Sequence, residues 1–195
     1  TIVAIGAIGN DDNGSYSGHV RVYEWNETIW LQRGADIDGE AANDQSGRSV
    51  ALSADGTIVA IGANGNNDNG INSGHVRVYQ WNDSNWAQRG DDIDGEAAYD
   101  QSGYDVALSA DGTIVAIGAY GNGKGRGHVR VYRWNMSVWL QRGADIDGEA
   151  ANDQSGRSVA LSADGTIVAI GANGNNDNGI NSGHVRVYQW NDSNW

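Results

Sequence analysis

Apolar residues come in short bursts, each closed by Gly, Asn, Asp or Ser. No stretch carries a 3.6-residue apolar period of useful length, so the pattern predicts strands and almost no helix. In one stretch the first burst is Ser49-Val50-Ala51-Leu52-Ser53, closed by the turn Ala54-Asp55-Gly56. Asp-Gly is a favoured hairpin dipeptide. Thr57 to Ala63 is nearly continuous in apolar residues, as expected of a strand covered on both faces. A loop rich in Asn, Asp and Gly runs from Asn64 to Ser73, and His75 to Trp81 reads as a third strand. After the turn Asn82-Asp83-Ser84, a fourth strand starts near Trp86 and ends at Arg89-Gly90. Asp91 to Gly103 then connects to the next unit.

The same pattern occurs four times. Thr-Ile-Val-Ala-Ile-Gly opens at Thr1, Thr57, Thr113 and Thr166, at spacings of 56, 56 and 53 residues, and Gly-His-Val-Arg-Val-Tyr follows at Gly18, Gly74, Gly127 and Gly183. Periods of this size made of strands indicate propellers or solenoids. Four antiparallel strands joined by hairpins make one propeller blade. The predicted fold is therefore an all-β propeller of four-stranded antiparallel blades, in repeats of 53–56 residues beginning near 1, 49, 105 and 158. The alternative, a β-solenoid, has shorter rungs and rarely an Asp-Gly hairpin inside them. The count is 14 strands, with the first and last repeats incomplete. Residues 1–195 read as one repeat region, a window on a longer array. Residues 31–86 and 140–195 are identical, which points to duplication of a 109-residue unit. All eight Trp occupy repeat positions, as expected of rings packed between blades. Near-identical blades with unpaired outer strands also allow homo-oligomers or filaments.

Composition narrows the function. The net charge is −13 and the one lysine is Lys124. Nucleic acid and anionic membranes call for clustered Lys and Arg, so neither is an expected partner. No apolar run approaches the ~20 residues that span a bilayer, so membrane insertion is not expected. The chain lacks an initial Met and a basic-apolar leader, as a processed chain or a piece of a longer one would. Cysteine is absent, which excludes thiol catalysis, disulfides and Cys-ligated zinc.

Ser46-Gly47-Arg48-Ser49-Val50-Ala51, Ile61-Gly62-Ala63-Asn64 and Gly74-His75-Val76-Arg77-Val78-Tyr79 resemble the FG-GAP repeat. That repeat builds the β-propeller of integrin α chains and of many extracellular bacterial and algal proteins, and the resemblance runs through every repeat. Ser stands where the family has Phe before Gly, and Asn, Ile or Tyr where it has Pro after Gly-Ala. The family's calcium loop lies between the first two strands; here that place holds the short turn Ala54-Asp55-Gly56, so its ligands are not carried over. The resemblance implies a propeller, commonly seven-bladed, used outside the cell for adhesion or ligand binding.

Several residues are candidates for chemistry. Asn26, Asn82, Asn135 and Asn191 each open an Asn-x-Ser/Thr acceptor after the third-strand Trp, and Asn13 opens a fifth. They are expected N-glycosylation sites on a secretory route, although Asn and Ser are also good turn residues. Alternating carboxylates between repeats could wrap Ca²⁺: Asp36, Asp38, Glu40 and Asp44; Asp92, Asp94, Glu96 and Asp100; Asp145, Asp147, Glu149 and Asp153. The competing expectation, which we prefer, is a turn whose Asp side chains cap backbone N–H groups and pair with Arg33 or Arg48. Asn10-Asp11-Asp12-Asn13 and Asn64 to Asn69 could hold Ca²⁺ or sugar hydroxyls, but the third repeat replaces them with Gly121-Asn122-Gly123-Lys124-Gly125-Arg126. A metal site common to all repeats is therefore not expected. Being surface loops that vary, these segments suit partner specificity. His19, His75, His128 and His184 share one strand position and are expected to be hydrogen-bonded structural residues.

No Ser-His-Asp set stands apart from the repeat. The expected function is a non-catalytic extracellular structural or adhesive module of a secreted or cell-surface glycoprotein, with protein or glycan partners. The alternative is a carbohydrate- or calcium-binding propeller with one shallow site per blade.

Overall fold

The computed structural model describes residues 1–195 and contains four antiparallel sheets, one per repeat. The first is β1 (Ile2–Ala7), β2 (His19–Trp25) and β3 (Trp30–Gln32), with β4 (Ile37–Asp38) also paired to β2. The second runs β5 (Ser49–Leu52), β6 (Ile58–Ala63), β7 (His75–Trp81) and β8 (Trp86–Gln88), with β9 (Ile93–Asp94) on β7. The third runs β10 (Asp105–Leu108), β11 (Ile114–Ala119), β12 (His128–Trp134) and β13 (Trp139–Gln141), with β14 (Ile146–Asp147) on β12. The fourth runs β15 (Ser155–Leu161), β16 (Ile167–Ala172) and β17 (His184–Gln189). Each sheet is a propeller blade, and we number them 1 to 4.

The expected strands form where the pattern put them, with one addition. The outer strand of each complete hairpin set is broken: β3 and β4 both pair with β2, and residues 33–36 bulge between them. This raises the strand count from 14 to 17. The bulge contains Gly34 at φ 82, and the same conformation recurs at Gly90 and Gly143. One four-residue helical turn, Asn122–Gly125, fills the short third-repeat loop, with Gly123 and Lys124 at positive φ.

The core lies between blades. Alternate residues of each second strand point to opposite neighbours, because side chains alternate along a strand. In β6, Val59 and Ile61 pack with Val20, Val22 and Ile37 of blade 1, while Ile58 and Ala60 pack with Val106, Val115 and Ile117 of blade 3. This two-sided cover is why the Ile-Val-Ala-Ile motif has no polar position. Each such Val or Ile contributes about 1.5–3 kcal/mol when removed from water. Blade 4 repeats the contact through Val159, Val168 and Ile170. Its other face is open, with Val185 67% and Val187 65% exposed where the equivalent Val76 and Val78 are 0% and 2%.

The tryptophans close the outer end of each seam. Trp81 and Trp86 stand 5.4 Å apart on one hairpin. The Arg33 guanidinium of blade 1 lies over Trp81 at 4.9 Å, and Trp86 Nε1 donates to the Arg33 carbonyl at 2.7 Å. Arg33 also donates to the Gly56 carbonyl in the blade 2 turn, at 3.2 Å. The arrangement recurs with Arg89 on Trp134 and Arg142 on Trp190. Arg33 thus joins blades through aromatic and carbonyl contacts, not through the inter-repeat carboxylates.

At a pair of glycines the backbones of successive blades come too close for a side chain. A Cβ on Gly6, Gly62 or Gly118 would overlap the carbonyl oxygen of Gly47, Gly103 or Gly156 in the following blade. At the same motif position Gly171 has no following blade, and its nearest neighbour is Ser158 Cβ at 3.4 Å. Gly118→Ala should therefore destabilise by roughly 3 kcal/mol or more, and Gly171→Ala by less than about 1 kcal/mol. Urea unfolding of the two variants checks this; equal losses would mean that the seam does not depend on glycine.

Candidate functional site

The four histidines open the third strands β2, β7, β12 and β17. His75 and His128 are each 1% exposed. Antiparallel pairing sets His75 opposite Ala63 and Asp94, at the end of the blade where the loop between the second and third strands meets the tail of the preceding blade. Three carboxylates converge on His75 there. Its Nδ1 lies 3.4 Å from Asp92 Oδ2, 3.8 Å from Glu40 Oε2 and 3.9 Å from Asp68 Oδ2. Asp92 and Asp68 belong to blade 2, whereas Glu40 arrives from the tail of blade 1. Neither His75 nitrogen has a hydrogen-bond partner, so the expected hydrogen-bonded structural histidine is corrected here. The sequence pattern cannot reveal this, because the nearest acceptors come from three separate segments.

Related clusters stand at the other blades. They comprise Asp12, His19, Asp36 and Asp38; Glu96, His128 and Asp145; and Glu149, Asp177 and His184. The blade 3 group around His128 lacks a loop carboxylate because Gly121 to Arg126 replaces the acidic loop. In the first, Arg21 donates to Asp36 Oδ2 from Nε at 2.9 Å and from Nη2 at 2.8 Å. The equivalent Arg77 instead donates to the Asp38 carbonyl at 2.7 Å. Blade 1 has no preceding tail in this chain to offer that carbonyl, so its arginine turns to the carboxylate.

The inter-repeat carboxylates do not wrap a common point. Asp36 and Asp38 face His19 of their own blade, and Glu40 faces His75 of the next. Asp92 and Glu96, and Asp145 and Glu149, divide in the same way. Asp94 stands opposite His75 in the strand register but is not among the four converging groups, whereas Asp147 accepts from Arg126 at 2.8 Å. Asp44, Asp100 and Asp153 are buried and accept the N–H of Ala41, Ala97 and Ala150, each at 3.0 Å. The capping expectation describes these three, while the ion pairs of the inter-repeat carboxylates go to Arg21, Arg77, Arg126, Arg130 and Arg186 rather than to Arg33 or Arg48. Arg48 stacks on Tyr104.

Electrostatics at the blade 2 cluster follow from crowding. Burial pushes the Glu40 carboxyl above its ordinary value against the pull of Arg77, and Asp92, Asp68 and Asp44 push it the same way. Burial holds the His75 imidazole below its ordinary value, and Arg77 adds to this while Asp92, Asp44 and Asp94 oppose it. The imidazole is thus neutral at pH 7. Three carboxylates facing a neutral imidazole favour any bound cation.

The acceptor asparagines divide into two kinds. Asn26, Asn82, Asn135 and Asn191 sit at hairpin tips, where Oδ1 accepts the N–H two and three residues on and no hydrogen bond ties Nδ2. Asn13 differs, since its Nδ2 donates to the Gly39 carbonyl at 2.8 Å and to the Glu40 carbonyl at 3.2 Å. Asn69, which opens no acceptor motif, makes the same two bonds in blade 2. Asn13 is a structural turn residue.

One signal for the cluster was present in the sequence. Asp12–His19, Asp68–His75 and Asp177–His184 share a seven-residue spacing.

Comparisons with known proteins agree with this architecture. The FG-GAP repeat model matches residues 37–79 and 146–188, so these two stretches are similar to FG-GAP repeats. No curated protein sequence matches it. The chain is similar in structure to KlAtg21, solved in complex with the coiled-coil of AgAtg16, with 14% identity and a TM-score of 0.60 over 90% of this chain and 48% of that one. It is also similar to a proposed 6-phosphogluconolactonase of Bacteroides uniformis, with 14% identity and a TM-score of 0.57 over 89% of this chain and 44% of that one. At such identity the likeness concerns the fold alone, and this chain spans less than half the length of either neighbour.

In chelating buffer Glu40→Gln should raise the melting temperature at neutral pH. A carboxyl raised in the folded state stabilises below its unfolded value, near 4.5, and loses that contribution as pH climbs through the folded value. The gap between variant and parent should therefore widen from pH 4 to pH 7. A gap independent of pH in calorimetric scans would overturn this account.

Proposed function

We propose that this chain of FG-GAP-like repeats serves as a non-catalytic extracellular interaction module, displaying the loops between second and third strands to a protein or glycan partner. The carrying observation is divergence over a constant frame. β6–β7 and β11–β12 pair in the same register. Yet the loop joining the first pair carries Asp68, and the loop joining the second carries Lys124 and Arg126 on a helical turn. Packed seams hold the strands rigid, so the loops are free to vary without cost to the core. The polar clusters recur with the blades, which supports a repeated surface over a single catalytic centre. FG-GAP repeats are typical of extracellular proteins, and no helix is long and apolar enough to cross a membrane.

A glycoprotein context belongs to the same reading. Asn26, Asn82 and Asn191 are exposed and Asn135 is half-buried, and their free Nδ2 atoms suit N-glycan attachment. A second reading, one shallow sugar site per blade, draws on a recurring groove. Asp36, Asp38, Tyr79 and Trp86 line a cavity of about 300 Å³, and Asp92, Asp94, Tyr132 and Trp139 line one of about 270 Å³. Aromatic faces beside carboxylates are a usual way to hold a sugar ring. Tryptophan fluorescence that responds to a panel of soluble oligosaccharides would favour this second reading.

The test of the first is the intact mass of chain secreted from eukaryotic cells, before and after N-glycan removal. A mass above 20.7 kDa that falls with the glycosidase is expected, with glycans mapped to the hairpin asparagines and not to Asn13. An unchanged 20.7 kDa would remove the glycoprotein context.

A further inference from the structure

We infer that Glu40, Asp68, His75 and Asp92 form a divalent-cation site for a borderline transition metal of the Zn²⁺ class, clasping blade 1 to blade 2. The inference is independent of the function proposed above. It rests on two separate observations. One is the convergence of four ligand atoms within 4.8 Å of one another. The other is His75 itself, a 1% exposed side chain with both nitrogens unpartnered and Nδ1 aimed at the three carboxylates.

Geometry and donor type select the metal class. Tetrahedral bonds of ~2.1 Å place neighbouring donors ~3.4 Å apart. The three Nδ1–oxygen distances are 3.4, 3.8 and 3.9 Å, each within about half an ångström of that spacing, and the ligand atoms all lie within 4.8 Å of one another, so an ion would draw the carboxylates inward. One imidazole with three carboxylates suits Zn²⁺ and its neighbours, whereas Ca²⁺ takes six to eight oxygens and no nitrogen.

The groups behind the ligands are also in place. Gln88 donates to Asp92 Oδ1 at 2.5 Å, leaving Oδ2 turned to His75. Arg77 lies 3.5 Å from Glu40 Oε1, leaving Oε2 turned inward. Asn66 Nδ2 donates to Asp68 Oδ2, the oxygen that itself faces His75, at 3.2 Å. Such outer contacts fix ligand orientation. With Arg77 included, the four side chains and their partner carry a formal charge that a divalent ion neutralises. Glu40 and Asp68 are 43% and 61% exposed as side chains, so a cation enters from solvent.

The other clusters each differ from this one: blade 1 has four groups and blades 3 and 4 have three. In blade 1, Arg21 donates from Nε and Nη2 to the Asp36 oxygen that faces His19; the blade 3 loop brings Lys124 in place of a carboxylate; and blade 4 gathers Glu149, Asp177 and His184 around a histidine side chain that is 21% exposed. One tight site per chain is the consequence.

The test titrates chelator-stripped protein with Zn²⁺ in a calorimeter and with Co²⁺ in an absorption spectrometer. One tight Zn²⁺ site is expected, with a tetrahedral Co²⁺ spectrum that equimolar Ca²⁺ does not displace. Glu40→Gln and Asp68→Asn should each weaken binding at least about tenfold, and His184→Gln should leave the tight site unchanged. His75→Gln should abolish it; should that buried variant fail to fold by circular dichroism, the two exposed variants decide. Parent-like affinity in folded Glu40→Gln and Asp68→Asn, absence of Zn²⁺ binding at millimolar concentration, or displacement of Co²⁺ by equimolar Ca²⁺ would each overturn the proposal.

Discussion

The blades meet through contacts of bare backbone that leave no room for a side chain. Gly6, Gly62 and Gly118 each lie where a side chain would overlap the carbonyl of Gly47, Gly103 or Gly156. These are the two glycines of the repeat signature, one from Ser-Gly and one from Ile-Gly-Ala. Glycine is required there for space, and at Gly47, with φ 86, also for conformation. Once the backbones meet, the remaining seam has a fixed width. Ile and Val fill it along the strands, and the Arg–Trp clasp closes its outer end. Interiors packed at this density transmit small changes, so the spacing of every blade follows from a contact with no side chain in it.

The same seam makes the polar cluster a composite. Ser46 pairs with Gly18 in an isolated parallel bridge, and Gly39 donates to the Gly18 carbonyl at 2.8 Å. These bonds fasten the tail of blade 1 across the start of its own third strand. Glu40 follows directly and is delivered to His75 of the next blade. A single blade could not assemble the group, and a shift of the seam would dissolve it. Structural repetition and ligand chemistry are thus coupled, because the residues between blades both hold the stack and furnish its carboxylates.

Repetition does not make the blades equivalent. The duplicated segments 31–86 and 140–195 are identical in sequence, yet Val76 is buried and its counterpart Val185 is 67% exposed. Arg77 reaches a carbonyl of the preceding blade, while Arg21, without such a partner in this chain, bonds to Asp36. Neighbours, not local sequence, set these differences.

Strand positions, hairpins and blade stacking were legible in the chain. They depend on short-range rules: a continuous apolar run means two covered faces, and Asp-Gly means a tight turn. The bulge at residues 33–36 was not legible, since Arg33 and Gly34 take their conformation from Trp81 and Trp86 of another blade. Nor were the partners of the inter-repeat carboxylates. Asp36, Asp38, Glu40 and Asp44 alternate along nine residues, which suggested one ligand set. Tertiary structure sent them to three destinations, because the chain crosses from one blade to the next within that segment. The sequence by itself determined which residues form strands and that the strands must stack. Only the tertiary structure decided which carboxylate meets which histidine, since that pairing is made across a seam by segments up to 35 residues apart, such as Glu40 and His75.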